Sequence, residues 1–192
     1  YSEALTLSVG AGGGYSSIDP GSDLLSRQLK AGLGWTPGER LHIDSELGVD
    51  YSKLMGSEVG DVANPIYGLN FQYRLSEVTS FSLGARRSVT TSYFSNQYTK
   101  IARYNFSVNQ RLLGRLNLNV GISLSDNDYI SKSMAAASGR SDRQTTYSAQ
   151  LSTPLWTKFF AAISYQHVEN DSSFARYALS SDSYGFSISW QY

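Results

Sequence analysis

The residues able to do chemistry are few, and they collect on short alternating stretches. His42, Asp44, Glu46 and Asp50 all fall on even positions of one run, so an extended chain puts them on one face. Lys30, Arg74, Arg86, Arg103 and Arg111 hold the equivalent parity of other runs, and opposite charges gathered on one face can pair or guide a charged solute. A histidine beside carboxylates could also serve as a general base. The other histidine, His167, has the opposite, apolar parity beside Glu169, where an amphipathic anchor is the simpler role. Two histidines and no cysteine leave no thiolate nucleophile, no disulfide and no metal-spaced cluster, so no catalytic, cofactor or metal site is expected. The Gly12-Gly13-Gly14 run lacks a following helix signal and reads as strand-end flexibility or a bulge, not a phosphate loop.

The elements that must position these groups are strands. Leu116, Leu118, Val120, Ile122 and Leu124 alternate strictly with Asn117, Asn119, Gly121, Ser123 and Ser125. The same template predicts ten strands near 3–15, 25–35, 41–53, 66–75, 79–89, 98–111, 115–126, 144–152, 158–168 and 183–192. No run approaches the roughly 18 apolar residues of a membrane-spanning helix, so any membrane span must be a strand. The 192 residues read as one domain, with 16 basic against 16 acidic residues giving no field to attract nucleic acid. Starting at Tyr1 without an initiator methionine or signal segment, the chain has the expected look of a processed or trimmed product.

Connections alternate between tight and long. The tight ones are expected at Thr36-Pro37-Gly38-Glu39, Ser76-Glu77-Val78, Leu112-Leu113-Gly114 and Thr153-Pro154-Leu155-Trp156; long polar ones run from Met55 to Asn64, Asn127 to Arg143 and Glu169 to Asp182. In an up-and-down sheet every second connection lies on the same rim, which segregates short turns from long loops as in bacterial outer-membrane barrels. The expected fold is therefore all-β: an antiparallel up-and-down transmembrane β-barrel of about ten strands, with both termini on the periplasmic, short-turn side. Tyr1 and Tyr192 would then be neighbours and the first and last strands would close the sheet.

The polar parity is rich in Gly, Ser, Thr, Asn and Gln, which suits a narrow lumen, whereas the apolar parity suits lipid. Charges that share the apolar parity (Glu3, Arg27, Lys53, Arg87, Lys100, His167) sit near strand ends, away from the mid-bilayer cost of about 2–4 kcal/mol for Arg or Lys. Aromatics of that parity form two expected girdles. Trp35, Tyr73, Phe81, Phe159, Trp190 and Tyr192 lie at the short-turn rim, and Tyr15, Tyr51, Tyr67, Tyr98, Tyr147, Tyr165 and Tyr184 at the loop rim. Inside, Lys30, His42, Asp44, Glu46, Asp50, Arg74, Arg86, Arg103 and Arg111 are expected to form a charge network, with Lys30 directly opposite Glu46 across the first tight turn.

Two runs, Thr79 to Thr99 with Ser-Tyr-Phe-Ser-Asn-Gln (92–97) and Phe106 to Ser133 with Asn-Gln-Arg-Leu-Leu-Gly-Arg-Leu (109–116), resemble the β-barrel porin 2 family. The resemblance is strongest over 79–192. It implies a barrel in the outer membrane of a Gram-negative envelope, associated with envelope or exopolysaccharide export, and it transfers no catalytic residue. Members of that family are longer, so the chain could be the C-terminal part of a larger barrel. Tyr184, Phe186, Ile188, Trp190 and Tyr192 resemble the terminal signal read by the barrel-assembly machinery. The function expected is thus a non-enzymatic, porin-like membrane protein: a narrow transport pore or export-associated barrel, its partners outer-membrane lipid and the assembly machinery. The alternatives are a structural or adhesive scaffold binding another envelope protein, and a surface hydrolase using His167 or the His42–Asp44 pair.

Overall fold

The structure is a computed structural model that describes residues 4–17, 23–55, 62–91, 97–131, 139–156 and 158–190. Ten strands follow one another in chain order through a single antiparallel sheet. They are β1 (Leu5–Ser16), β2 (Leu24–Gly38), β3 (Leu41–Leu54), β4 (Val62–Arg74), β5 (Thr79–Thr91), β6 (Gln97–Leu112), β7 (Leu116–Ser131), β8 (Arg140–Trp156), β9 (Phe159–Ser172) and β10 (Leu179–Trp190). A single 3-10 turn at Ala175–Tyr177 interrupts the β9–β10 connection. Among the described residues no helix is long and apolar enough to cross a membrane.

The faces divide as the alternation requires. Following the register from β1 to β10, the parity containing Leu7, Leu33, Leu47, Leu83, Phe106, Val120, Tyr147, Ile163 and Phe186 stays on one side of the sheet throughout. That side is bare: Leu7 is 73% exposed, Val9 82% and Phe186 70%. Buried hydrophobics among the described residues are only Leu24, Ile66 and Tyr98. A water-soluble domain of this size inverts that pattern. The opposite, concave side carries the small and polar residues.

Several expected boundaries move. β7, β8, β9 and β10 run several residues further at their loop ends than the alternation indicates, so much of Asn127–Arg143 and Glu169–Asp182 is strand. Strands of 12 to 17 residues exceed the roughly 9–11 needed to span a bilayer, and the surplus is polar on both faces, which hides it from a hydrophobic template. Gly12-Gly13-Gly14 is neither bulge nor frayed end; it pairs regularly with Ser26, Arg27 and Gln28.

Two tight turns also shift. The β2–β3 register breaks between Trp35 and Gly38 and resumes at Gly38↔Leu41, leaving Glu39 and Arg40 as the turn. Pro37 lies in that break, since a residue without an N–H cannot continue the ladder. A matching break lies between Pro154 and Trp156, and β8 therefore continues to Trp156. The β6–β7 turn lies where expected. It holds Leu113 (φ 48°) and Gly114 (φ 72°) in the left-handed region, and the Leu113 side chain points into the surroundings.

The expected closure is not made within the described residues. β1 pairs only with β2 and β10 only with β9, and every residue of both edge strands is exposed. Tyr1 and Tyr192 lie outside the described residues, as does Glu3.

Glycines let the concave side bend. A methyl group on Gly48 would collide with the Leu29 carbonyl oxygen and stand 3.0 Å from Lys30 Cγ, whereas one on Gly38 would meet nothing within 4 Å. Gly48→Ala should lower stability by about 1–3 kcal/mol through overpacking, with Gly38→Ala close to neutral. Urea unfolding in detergent micelles reads the difference, and equal midpoints for the two variants would contradict it.

Candidate functional site

The concave face is the candidate site, because every charged residue of the expected network points there by register. Toward the turns it opens into a cavity of about 820 Å³ whose lining includes Thr36, Lys30, His42, Asp44, Glu46 and Arg86. Toward the loops it is packed: Asp50 and Asn64 are each 1% exposed, and Ser52, Thr99, Ser125 and Asp142 are buried with them. The concave face is therefore predominantly polar, with Leu24 and Ile66 as buried apolar exceptions, open on one side and filled on the other.

Lys30 and Glu46 do meet, with Nζ 3.3 Å from Oε1, but diagonally. Lys30 stands opposite Gly48 and Glu46 opposite Gly32, because the turn falls at Glu39–Arg40 and each β2 residue gains a partner two positions further along β3. The bare Gly32 and Gly48 positions give the two long side chains room to cross.

The rest of the network divides. His42 Nε2 lies 2.7 Å from Asp44 Oδ2, and its Nδ1 lies 2.8 Å from the Thr36 hydroxyl. This hydroxyl–imidazole–carboxylate chain fixes the ring at the turn-side rim; Thr36 enters it only because the bulge extends β2. Asp50 accepts hydrogen bonds from Gln28 (2.6 Å) and the Ser52 hydroxyl (2.6 Å), polar partners in place of the expected cation. Arg74, Arg86, Arg103 and Arg111 point into the concave side, and none forms an ion pair within 4 Å among the described residues.

One buried pair escaped the sequence reading. Arg140 binds Asp142 through both Nε and a terminal nitrogen, and Ser172 donates to the same carboxylate at 2.5 Å. The Arg140 guanidinium lies between the Tyr129 and Tyr177 rings, 4.4 and 3.5 Å from their centroids. An i, i+2 Arg-x-Asp on alternating polar ground is the signal that could have found it. It was missed because the segment read as a loop.

The outward aromatics largely sit as a pair of rims. At the turn side Phe159 stacks on Trp190 (6.4 Å) and meets Trp156 edge-on (6.1 Å), while Phe81 stacks on Phe106; Trp35 is exposed there and Tyr73 half-buried. Trp156 was not expected in this rim, and the Pro154 bulge brings it there. At the loop side Tyr15, Tyr51, Tyr147, Tyr165 and Tyr184 are exposed, and the Tyr67 and Tyr104 hydroxyls share a 2.7 Å hydrogen bond. Tyr98 differs: it is buried with Leu24 against Val89 and Ile130. Tyr192 falls outside the described residues.

Beyond the loop-side aromatics the outward face turns ionic. Arg143 binds Asp126 (2.7 Å), Ser141 donates to Asp128 (2.9 Å), and Asp182 takes hydrogen bonds from Tyr165 and His167. His167 thus pairs with Asp182, not with its sequence neighbour Glu169. In the β1–β2 connection, hydrogen bonds from Ser17 and Tyr15 hold the Asp23 carboxyl below its ordinary range.

No protein-family model matches the chain, so the resemblance over 79–192 is not borne out as family membership, and no curated protein matches it either. Among solved structures the chain is similar to a copper transporter, OprC, with 9% identity and a TM-score of 0.46 over 96% of this chain. The aligned part is 36% of that protein, so the chain spans little more than a third of its length.

Because Lys30 and Glu46 are 31% and 40% exposed, their pairing should contribute only about 0.2–1 kcal/mol. Either Lys30→Glu or Glu46→Lys alone should lower the urea midpoint, and the double exchange should recover most of the loss. Equal damage from all three variants would reject the pairing.

Proposed function

We propose that the chain is the wall of an outer-membrane β-barrel, non-enzymatic, acting as a narrow pore for polar solutes in a Gram-negative envelope. The observation that carries this reading is the bare apolar side of the sheet, bounded by aromatic rims and then by ionic residues. That sequence of surfaces matches hydrocarbon, interface and headgroup, and in water it would expose far more contiguous apolar area than a soluble protein tolerates. Outer-membrane lipid is thus the first partner. The alternating Tyr184, Phe186, Ile188 and Trp190 on exposed β10 suit recognition by the assembly machinery.

A membrane cannot accept two open sheet edges, so the reading requires β1 and β10 to acquire partners. The register supports the chain's own edges for that role. The row starting at Leu5 passes through Trp35, Ile43, Phe71, Leu83, Phe106, Ile122, Tyr147 and His167 and reaches Asp182, near the head of β10. A ten-stranded barrel with strands tilted 35–45° needs a stagger of about 10–14 residues around its girth. Pairing Trp190 with Leu7 or with Val9 yields a stagger of about 10 or 12, and both registers keep greasy residues outside.

The interior argues for a slender path. Ten strands enclose little more than side chains, and the loop-side half of the lumen is already filled by Asp50, Asn64, Thr99 and Asp142. Hydrolysis finds less support: His42 and Asp44 stand at the turn-side rim, the end away from the long loops, and His167 lies on the lipid-facing parity.

Closure is tested by paired cysteines, for which the native chain offers a clean background. Val9→Cys with Ile188→Cys should form an intramolecular disulfide at a stagger of ten, and Ala11→Cys with Ile188→Cys at twelve. Disulfides only between chains, or none in either pair, would overturn self-closure. In planar bilayers the folded protein should give small, stable conductance steps; a correctly folded but silent protein would reject the pore in favour of the scaffold reading.

A further inference from the structure

Among the described residues the concave face holds cation–carboxylate pairs at Lys30–Glu46 and Arg140–Asp142. Arg86 and Arg103 lack such a partner, as Arg74 and Arg111 do, but they alone of these four arginines form a facing couple. They stand directly opposite each other on β5 and β6, both pointing inward, and neither has a carboxylate within 4 Å among the described residues. Like charges facing each other across a ladder are destabilising unless something negative lies between them.

The surroundings are shaped to admit a guest. Gly68 on β4 stands opposite Arg86, and Gly84 precedes it on the same face, so neither position contributes a side chain of its own beside Arg86. Asn105 takes the space above Gly84, its amide nitrogen 2.9 Å from where a Cβ would be. Glu46 leans over Gly68, yet its carboxylate is held 3.3 Å from Lys30. Arg86 and Asn105 line the 820 Å³ cavity that opens toward the turns, and Ser125, opposite Arg103, is already part of the packed half. Arg86 therefore borders the open cavity, and Arg103, which does not itself line it, stands beside Arg86 on the next strand toward the packed half.

We propose that Arg86 and Arg103 form an anion-binding site at the floor of this cavity, taking a solute with a phosphate or carboxylate group that approaches from the turn side. Two planar guanidiniums offer paired donors matched to such groups, and the Asn105 amide adds a neutral one. The site rests on the concave face being water-filled, as the pore reading has it, but not on conduction. Glu46 is the built-in competitor, and the Lys30 contact restrains it.

Inorganic pyrophosphate is the probe, because two linked phosphates can engage two guanidiniums at once. In the folded wild-type protein in detergent, pyrophosphate should protect Arg86 and Arg103 from phenylglyoxal, read by mass spectrometry, and leave Arg74 and Arg111 reactive. Calorimetry should show binding weakened about tenfold or more in Arg86→Gln/Arg103→Gln. Should that variant fail to fold, Arg86→Lys/Arg103→Lys keeps the charge and should still bind several-fold more weakly. Equal modification of all four arginines with and without pyrophosphate would overturn the site. Protection in a protein silent in bilayers would retain the site and reject the pore; conductance without protection would do the reverse.

Discussion

The antiparallel ladder and its period of two govern everything else in this molecule. Each strand pairs with its sequence neighbours, so backbone donors and acceptors between the two edges are satisfied without a conventional core, and the side chains are free to divide by face. A slip of one residue at any of the nine interfaces would turn every later strand inside out. Among the described residues the pairing has two irregularities, at Pro37 and Pro154, and both lie at turns beyond the apolar band. There a bulge changes what the last residues face and leaves the rest of the strand unaltered. Trp156 and Thr36 owe their positions to those two breaks.

That constraint explains what was legible in the sequence. The alternation at 116–125 or 184–190 has one physical interpretation, and all ten strands lie where such runs occur. The parity of the charged residues followed from the same arithmetic, so His42, Asp44, Glu46, Arg86 and Arg103 share the face expected of them. Strand length was not legible. Asp126, Asn127 and Asp128 continue β7 with polar residues on both faces, a pattern that cannot be told from a loop until backbone pairing with Ser141, Asp142 and Arg143 is seen. The Arg140–Asp142 pair was lost with it. Pairing partners were half legible: the Lys30–Glu46 contact exists, but its diagonal geometry depends on where the bulge falls, which composition does not encode.

The charges on the concave side are segregated, and the order of strands makes them so. Acids gather on β3, where Asp44, Glu46 and Asp50 follow one another; bases gather on β4, β5 and β6. Among the described residues, the β2–β3 hairpin alone brings a lysine or arginine into an ion pair with an acid in the open half. Since neighbours in sequence are neighbours in space, an arginine on β5 meets β4 and β6 before anything else, and those strands offer it Gly68 and another arginine. The unpaired bases thus follow directly from up-and-down topology combined with a local clustering of charge.

The open seam carries its own argument. Inward glycines in the middle of the sheet are crowded: methyl groups on Gly32, Gly48, Gly84 and Gly121 would all press on neighbouring atoms. Gly10 and Gly12, inward on β1, would meet nothing within 4 Å. Past Leu179 at its head, the inward residues of β10 are Ser181, Ser183, Gly185, Ser187 and Ser189, equally small and uncharged. Two edges that are both bare inside, both greasy outside and antiparallel to each other have complementary surfaces. Small residues on both sides of a seam allow strands to curve sharply toward one another, which is the geometry a narrow cylinder demands at the place where it closes.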